Sequence, residues 1–204
     1  MRKFINIDKS DYINAINLEL GLYSPLKRFA TFEEFKNILI KKKINNVNFT
    51  IPINLFCSKI KAEQFKLGDN IYLKYKKEIV GFINLKSKFE IKKKKFLRLV
   101  FGTTSKFHLG VNTYSKKIKD KSFSLGGEVF VYKNKLKKYF YTNNLITLKK
   151  LKKIKYLDAS FSTRNIPHIG HNLIQEKIIY KKKHLTIFLI LSTKNKYNQK
   201  ILMN

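Results

Sequence analysis

Two histidines in the last quarter of the chain are the residues best suited to bind a phosphorylated ligand. His168 and His171 lie three positions apart, and on a helix this spacing places both imidazoles on one face. The first turn of a helix also offers unpaired N–H groups and the positive end of the helix dipole to a phosphate. Gly170, between the histidines, leaves space for a flat group such as a base. The pattern indicates a nucleoside triphosphate site; the alternative is a pair of helix-start histidines that hold no ligand.

The sequence around the histidines predicts the elements that position them. Residues 156–161 predict a strand, residues 162–167 a turn, residues 168–181 a helix and residues 185–191 a second, apolar strand. This order is a βαβ unit, in which ligands bind at the first turn, beyond the carboxyl end of the strand. Because the chain has one cysteine and Asp158 is the one carboxylate close to the turn, no zinc site is predicted.

The charge of the chain leaves two interpretations open. The formal net charge is +31, which predicts salt-dependent binding to nucleic acids and other polyanions. However, only four of the 44 basic residues are arginines, although arginine is the preferred residue for reading phosphates and bases. The lysines accompany many Asn, Ile, Phe and Tyr residues, the products of A- and T-rich codons. A base-composition bias is therefore the favoured explanation, and a nucleic-acid partner the alternative.

Composition predicts a cytoplasmic protein with a substantial core. The chain has 204 residues and is 44% hydrophobic, so a folded domain is expected. Residues 185–191 form its longest apolar run, interrupted by Thr186, which is too short to span a bilayer. Residues 1–8 lack the apolar segment of a signal peptide. The single Cys57 fits a reducing compartment, and its position in an apolar strand predicts a core residue.

Helical patterns come first in the chain. Residues 12–20 have the apolar spacing of a helix, which Gly21 would end. A second helix is predicted to begin at Thr31, because Thr31 and Glu34 have the spacing of a capping box. Its predicted buried stripe consists of Phe32, Phe35, Ile38 and Leu39.

Short strands follow and favour a small β-barrel. They are predicted at residues 47–55, 71–75, 79–85 and 126–132. Residues 147–155 predict a basic helix that leads into the βαβ unit. The domain boundary is predicted between residues 145 and 146, which gives domains of 1–145 and 146–204.

Seven short stretches occur in the order of motifs found in one enzyme family. They are GLYSPL (21–26), IPINL (51–55), GD (68–69), FGTTS with HLGV (101–105, 108–111), GG (126–127), STRN followed by the two histidines (162–165), and TK (193–194). In this order they resemble the ATP sulfurylase, or sulfate adenylyltransferase, family. His108 lies in the HLGV stretch, and its glycine-flanked position predicts a structural or domain-interface role.

The resemblance implies an α+β or α/β chain: a PUA-like β-barrel N-terminal domain followed by a partial Rossmann-like (βαβ) nucleotidyltransferase domain. It implies the substrates ATP and sulfate, Mg²⁺ bound with the nucleotide, and a place in sulfate assimilation. By position in the motif, the implied catalytic residues are Thr163, Arg164 and Asn165; the sulfate-binding residues Ser162 and Arg164; and the ATP- or phosphate-binding residues Asn165, His168 and His171.

The chain also departs from the family pattern. Ser162 stands where the family has a sulfate-binding glutamine, and the proline of the turn is displaced by one position, to Pro167. A later Gly-Arg-Asp-His stretch, which completes the family's pocket, has no counterpart. The expectation is therefore an enzyme completed by a second polypeptide or by a homo-oligomer. The alternative is a catalytically dead relative retained as a PUA-like module that binds RNA or another polyanion.

Overall fold

The computed structural model describes residues 2–136, 159–163, 169–181 and 185–189. The internal contacts of the chain divide it into two units, Met1–Leu148 and Lys149–Asn204. The predicted basic helix at 147–155 and the predicted boundary between residues 145 and 146 lie outside the described residues.

The first unit is built on a five-stranded mixed sheet with the order β1-β5-β6-β7-β4. Its strands are β1 (Lys3–Asn6), β4 (Leu55–Cys57), β5 (Asn70–Tyr75), β6 (Glu78–Glu90) and β7 (Phe123–Val131). The first strand is parallel to β5, and the other neighbours are antiparallel. Within the described residues, β1 and β4 are the two edges of this sheet. The predicted β-barrel is therefore observed as an open, half-barrel sheet.

Helices and a small hairpin surround the sheet of the first unit, and residues 133–136 are also helical. The named elements are α1 (Lys9–Glu19), α2 (Phe32–Lys41), α3 (Lys59–Glu63), α4 (Lys93–Phe101), α5 (Leu109–Lys117) and the hairpin of β2 (Lys43–Ile44) and β3 (Val47–Asn48). The largest fully buried side chains come from the sheet, the helices and the loop that precedes α2, and include Phe29, Phe96, Ile16, Leu73 and Ile83.

The predicted capping box at the start of α2 is confirmed. The Thr31 hydroxyl accepts a hydrogen bond from the Glu34 N–H (3.4 Å), and the Glu34 carboxylate accepts one from the Thr31 N–H (2.9 Å). Phe35, Ile38 and Leu39 are buried as predicted, but Phe32 is 54% exposed. Phe32 is the first residue of the helix, and its ring reaches only the edge of the core. There it packs against Phe89, with 5.3 Å between the two ring centroids.

The prediction of one continuous strand over residues 47–55 is wrong. Residues 47–48 pair with β2, whereas residues 55–57 form β4 in the main sheet. Asn45 and Asn46 adopt positive φ angles of 46° and 63°, which close the hairpin tightly. Pro52, between the two strands, has no N–H to donate to a strand ladder.

We expect Thr31→Ala to lower the free energy of unfolding by about 1 kcal/mol, because the first turn of α2 loses its side-chain acceptor. Urea unfolding followed by circular dichroism measures the change. Thr31→Ser keeps the hydroxyl and serves as the control. If both variants lose the same free energy of unfolding, the missing capping hydrogen bond is not the cause of the loss.

The second unit contains a parallel strand–helix–strand arrangement. Strand β8 (Ala159–Thr163) pairs with β9 (Leu185–Leu189) in parallel, from Ala159↔Leu185 to Thr163↔Leu189. Helix α6 (Ile169–Lys181) lies between them in sequence. The predicted order of elements is observed, but β8 continues to Thr163, so Ser162 and Thr163 belong to the strand and not to the turn that was predicted for them.

None of the helices in the described ranges combines the length and the apolar character needed to cross a bilayer.

Candidate functional site

The carboxyl end of β8 carries the first two predicted site residues. Ser162 is the register partner of Phe188, and Thr163 is the partner of Leu189. In a parallel pair, both strands end at the same edge, and this edge is where α/β units place their ligands. The backbone therefore brings Ser162 and Thr163 to the edge that a βαβ site uses.

The first turn of α6 carries His171. This helix begins at Ile169, so His171 is its third residue, within the turn that presents backbone N–H groups and positive dipole charge. Residues 164–168 join the end of β8 to this helix. Arg164, Asn165 and His168, the other predicted site residues, lie outside the described residues.

Helix α6 exposes an unusual amount of apolar surface. None of its residues is buried, and its charged residues are few. Five of its six large apolar side chains are at least half exposed: Ile169, Leu173, Ile174, Ile179 and Tyr180. Exposed apolar surface of this kind is typical of sites that bind a protein, a membrane or a ligand.

The GLYSPL stretch of the first unit has a structural role. Gly21 has a positive φ of 69° directly after α1, a conformation that costs glycine little. The Tyr23 hydroxyl donates to the Asn14 side-chain oxygen (2.9 Å) and accepts from the Asn17 amide (3.0 Å). Leu26 is fully buried. These contacts fasten the turn onto α1.

The GD stretch forms a turn that is tied to the N-terminal strand. Gly68 has a φ of +86°. The Asp69 carboxylate accepts hydrogen bonds from the Lys66 N–H (2.6 Å) and from the Lys3 ammonium. The hydrogen bond from Lys3 and that from Lys66 lower the pKa of Asp69 below its ordinary value. Asp69 is thus a structural carboxylate that links β1 to the start of β5.

The FGTTS and HLGV stretches form a helix end and a helix start. Gly102 ends α4 with a φ of +72°. His108 is the N-cap of α5, and its Nδ1 accepts a hydrogen bond from the Val111 N–H at 3.3 Å. This contact confirms the predicted structural role of His108.

Cys57 is a core residue, as predicted. It lies in β4 and is 3% exposed. Burial raises the pKa of its thiol to about 11, so the reactive thiolate is scarce at neutral pH. Among the described residues, no three His, Cys, Asp or Glu side chains are grouped so that they could hold one metal ion.

Comparison with known proteins gives the family of the first unit. A family model for the PUA-like domain matches residues 2–134. The chain belongs to the PUA-like domain family. The mixed sheet and the helices around it are therefore the PUA-like part of the protein, and the resemblance stated from the sequence is confirmed for this part.

Curated relatives extend the similarity beyond the PUA-like domain. Sulfate adenylyltransferase of Pyrococcus abyssi is 30% identical over 201 residues, covering 96% of this chain and 51% of the relative. The Staphylothermus marinus sulfate adenylyltransferase is 30% identical over 181 residues, covering 84% of the chain and 45% of the relative. The chain thus spans about half the length of the curated relatives it matches, and it is a partial relative of these enzymes.

A solved structure has a similar fold. The hexameric APS kinase from Thiobacillus denitrificans superposes with a TM-score of 0.59, over 91% of this chain and 34% of that chain. The sequences are 13% identical, so this likeness concerns the fold alone.

Proposed function

We propose that the chain carries the PUA-like domain and the nucleotide-binding segment of a sulfate adenylyltransferase. The reaction would join ATP and sulfate to give adenosine 5′-phosphosulfate and pyrophosphate. The observation that carries the proposal is the similarity to Pyrococcus abyssi sulfate adenylyltransferase over 96% of the chain. That match includes part of the second unit, where the parallel pair of strands ends at Thr163.

The proposed chemistry depends on positioning and charge. A sulfate oxygen attacks the α-phosphorus of ATP, the bond from this phosphorus to the bridging oxygen breaks, and pyrophosphate leaves with the bonding electrons. Two anions must approach each other, so the site has to align them and neutralise their charge. Mg²⁺ would enter bound to the triphosphate and would supply part of that neutralisation.

On the sulfate side, four consecutive residues would act. Arg164 would hold sulfate with two parallel N–H donors, and the Ser162 hydroxyl would take the place of the family's longer glutamine amide. Thr163 and Asn165 would orient the reacting oxygen and the α-phosphate. The proposal is supported by the position of Ser162 and Thr163 at the carboxyl end of β8.

On the nucleotide side, His168 and His171 would hold the triphosphate and then the leaving pyrophosphate. His171 lies in the first turn of α6, where the helix dipole favours negative charge. Gly170, next to it, would let the nucleotide approach the backbone.

The rest of the catalytic domain would come from a further polypeptide segment. The relatives are about twice as long as the matched part, since the match covers 51% of the Pyrococcus abyssi enzyme. The apolar surface of α6, with residues such as Leu173 (55% exposed) and Tyr180 (91% exposed), supports this proposal. A segment equivalent to the remaining half of the relatives, or a second copy of this chain, would cover it.

We expect Arg164→Ala to reduce the rate of pyrophosphate release about 100-fold, the usual effect of removing a donor that stabilises transition-state charge. The assay supplies ATP, Mg²⁺ and sulfate to the chain alone and to the chain mixed with the unmatched half of the Pyrococcus abyssi enzyme. Arg98→Ala is the matched control, because Arg98 is an exposed arginine of α4 in the first unit.

The controls separate the possible outcomes. A rate that is restored only in the mixture supports completion by a further segment, and activity of the chain alone supports a second copy. Absence of pyrophosphate release in both samples would contradict the proposed activity. Equal losses in Arg164→Ala and Arg98→Ala would contradict the role of Arg164.

A further inference from the structure

A polar cavity of about 500 Å³ lies beside helix α2 in the PUA-like domain, and we call it the α2 cavity. Its walls are residues 25–28, one face of α2 and the hairpin residues 43–46. The face of α2 is formed by Glu33, Asn37 and Lys41, which follow one another at intervals of four residues and therefore lie on one side of the helix. The volume falls within the range of small-molecule sites, about 300–1,000 Å³.

The hairpin wall of the α2 cavity is fixed in place. Ile44 is 7% exposed and anchors β2 in the core. Asn45 and Asn46 form the tight turn with positive φ angles, and beyond the hairpin the Phe49 N–H donates to the Lys42 carbonyl at 2.8 Å. Because this wall is already ordered, a ligand would bind with little cost in rearrangement.

Arg28 supplies a guanidinium that has donors to spare. Its Nε lies 3.4 Å from Glu34, and its Nη1 lies 3.5 Å from Glu128. The Nε is nevertheless buried, with no hydrogen-bond partner among the described residues. Glu34 is itself held by the capping box, since its carboxylate accepts from the N–H and the hydroxyl of Thr31, each at 2.9 Å. The two acids therefore orient the guanidinium, whose planar fork suits an oxyanion.

The rest of the lining combines positive charge with amides. Three exposed lysines join Arg28, against the carboxylates of Glu33 and Glu34: Lys27, Lys41 and Lys43. Three amides can both donate and accept hydrogen bonds: Asn37, Asn45 and Asn46. The lining contains no aromatic residue, so it offers a base no ring on which to stack.

We propose that the α2 cavity binds a small phosphorylated sugar. The phosphate contacts Arg28, Lys41 and Lys43, which are the charge-assisted donors that such a group prefers. The sugar hydroxyls donate to Glu33 and bond to the asparagine amides. A nucleotide fits less well, because its base finds no stacking partner. The inference is independent of the proposed enzymatic function, because every lining residue lies in the PUA-like domain.

Isothermal titration calorimetry of the full chain in about 0.15 M salt, which screens non-specific attraction between distant charges, tests the proposal. The probes are ribose 5-phosphate, glucose 6-phosphate, the two unphosphorylated sugars and inorganic phosphate. We expect at least one sugar phosphate to bind more tightly than inorganic phosphate, because its hydroxyls add hydrogen bonds. The unphosphorylated sugars should give no measurable binding.

We expect Lys41→Gln/Lys43→Gln to weaken binding of the sugar phosphate at least about tenfold, because two charged donors are lost. Both lysines are exposed, so the variant should fold. Lys36→Gln/Lys95→Gln is the matched control, because it removes the same charge from exposed positions of α2 and α4 outside the α2 cavity. It should bind like the unaltered chain.

Arg28→Lys keeps the charge of the cavity but removes the planar fork, so it should also weaken binding about tenfold. If this variant does not fold, the two lysine variants still decide the question. Equal losses in both lysine variants would overturn the proposal, since they would show attraction to the overall charge of the chain. Failure of both sugar phosphates to bind, or affinity no greater than that of inorganic phosphate, would overturn it as well.

Discussion

Gly127→Ala is expected to lower the free energy of unfolding of the first unit by about 4 kcal/mol or more, in the range reserved for severe packing faults. A Cβ on residue 127 would lie 2.0 Å from the Asn84 carbonyl oxygen and 3.1 Å from the Lys86 nitrogen. Both are backbone atoms of the neighbouring strand, so a change of side-chain rotamer would not relieve the overlap. Gly127 itself is held in place, because its N–H donates to the Phe29 carbonyl at 2.9 Å.

Gly68→Ala is the control for this prediction. Gly68 has a φ of +86° but nothing within 4 Å of the position of a Cβ, so the substitution should cost about 1–2 kcal/mol from backbone strain alone. Urea unfolding followed by circular dichroism compares the two variants. A loss in Gly127→Ala no greater than that in Gly68→Ala would show that β6 and β7 can separate enough to admit the methyl group.

The position of Gly127 also shows what a sequence pattern reveals about this fold. The pair Gly126-Gly127 fits the family motif, but its physical reason lies in β6, where the pairing with β7 shifts register between Leu85 and Ser87. That irregularity brings the Asn84 carbonyl against residue 127. Since the two strands are far apart in the chain, no local pattern could show this contact.

Local signals predicted local features well. The Thr31–Glu34 spacing predicted a capping box that is observed, because all of its atoms lie within one helical turn. The strands predicted at residues 71–75 and 79–85 require a turn between them, and Lys76 and Lys77 form it with positive φ angles of 46° and 69°. Such angles are usually taken by Asn or Gly, so the residue types gave no sign of this backbone geometry.

The sequence did not predict secondary-structure elements that form through contacts with distant parts of the chain. Strand β1 has four residues, too few for a clear alternation, and it exists through parallel pairing with β5. Helix α4 begins in the lysine run at residues 92–95, for which no helix was predicted, and Phe96 and Leu97 are buried immediately afterwards. Lysine-rich surface positions hide the apolar spacing on which helix prediction depends.

The candidate site was predictable mainly through the family resemblance. The βαβ order followed from apolar runs, and the structure places Ser162, Thr163 and His171 at the strand end and the helix start. The roles of these residues depend on how side chains from several segments of the chain come together. No local pattern predicts that arrangement, so the roles are proposals. The contacts among the rings of Phe4, Tyr72, Phe82 and Phe130 were not predicted either, because these residues are neighbours only in the sheet.

A second large effect is expected where α1 meets α5. Asp11 is 1% exposed, and its carboxylate lies 2.6 Å from the Lys117 ammonium, which also donates to the Ser10 hydroxyl at 3.1 Å. Desolvation by burial raises the pKa of Asp11 above its ordinary value, whereas the charge of Lys117 acts in the opposite direction. The lysine is therefore what makes a buried carboxylate tolerable at neutral pH.

The direction of the pH dependence follows from this pKa. A carboxyl group whose pKa is higher in the folded state than in the unfolded chain contributes its stability below the unfolded pKa and loses it as the pH rises through the folded pKa. Removing the ammonium of Lys117 raises the pKa of Asp11 further. The cost of the removal is thus largest at neutral pH, where the carboxylate stays charged in the unfolded chain.

We expect Lys117→Met to lower the free energy of unfolding by about 3–5 kcal/mol at neutral pH, the usual cost of leaving one buried charge unpaired. We expect a smaller loss at acidic pH, because the raised pKa of Asp11 favours its neutral form there. Asp11→Asn/Lys117→Met has neither charge, so it should recover most of the loss and remove its pH dependence. The control is Lys116→Met, because Lys116 is an exposed neighbour on α5. Thermal unfolding from acid to neutral pH measures all three variants. A loss in Lys117→Met that is the same at both pH values would mean that the lysine stabilises α5 by packing its methylene groups and not by its charge.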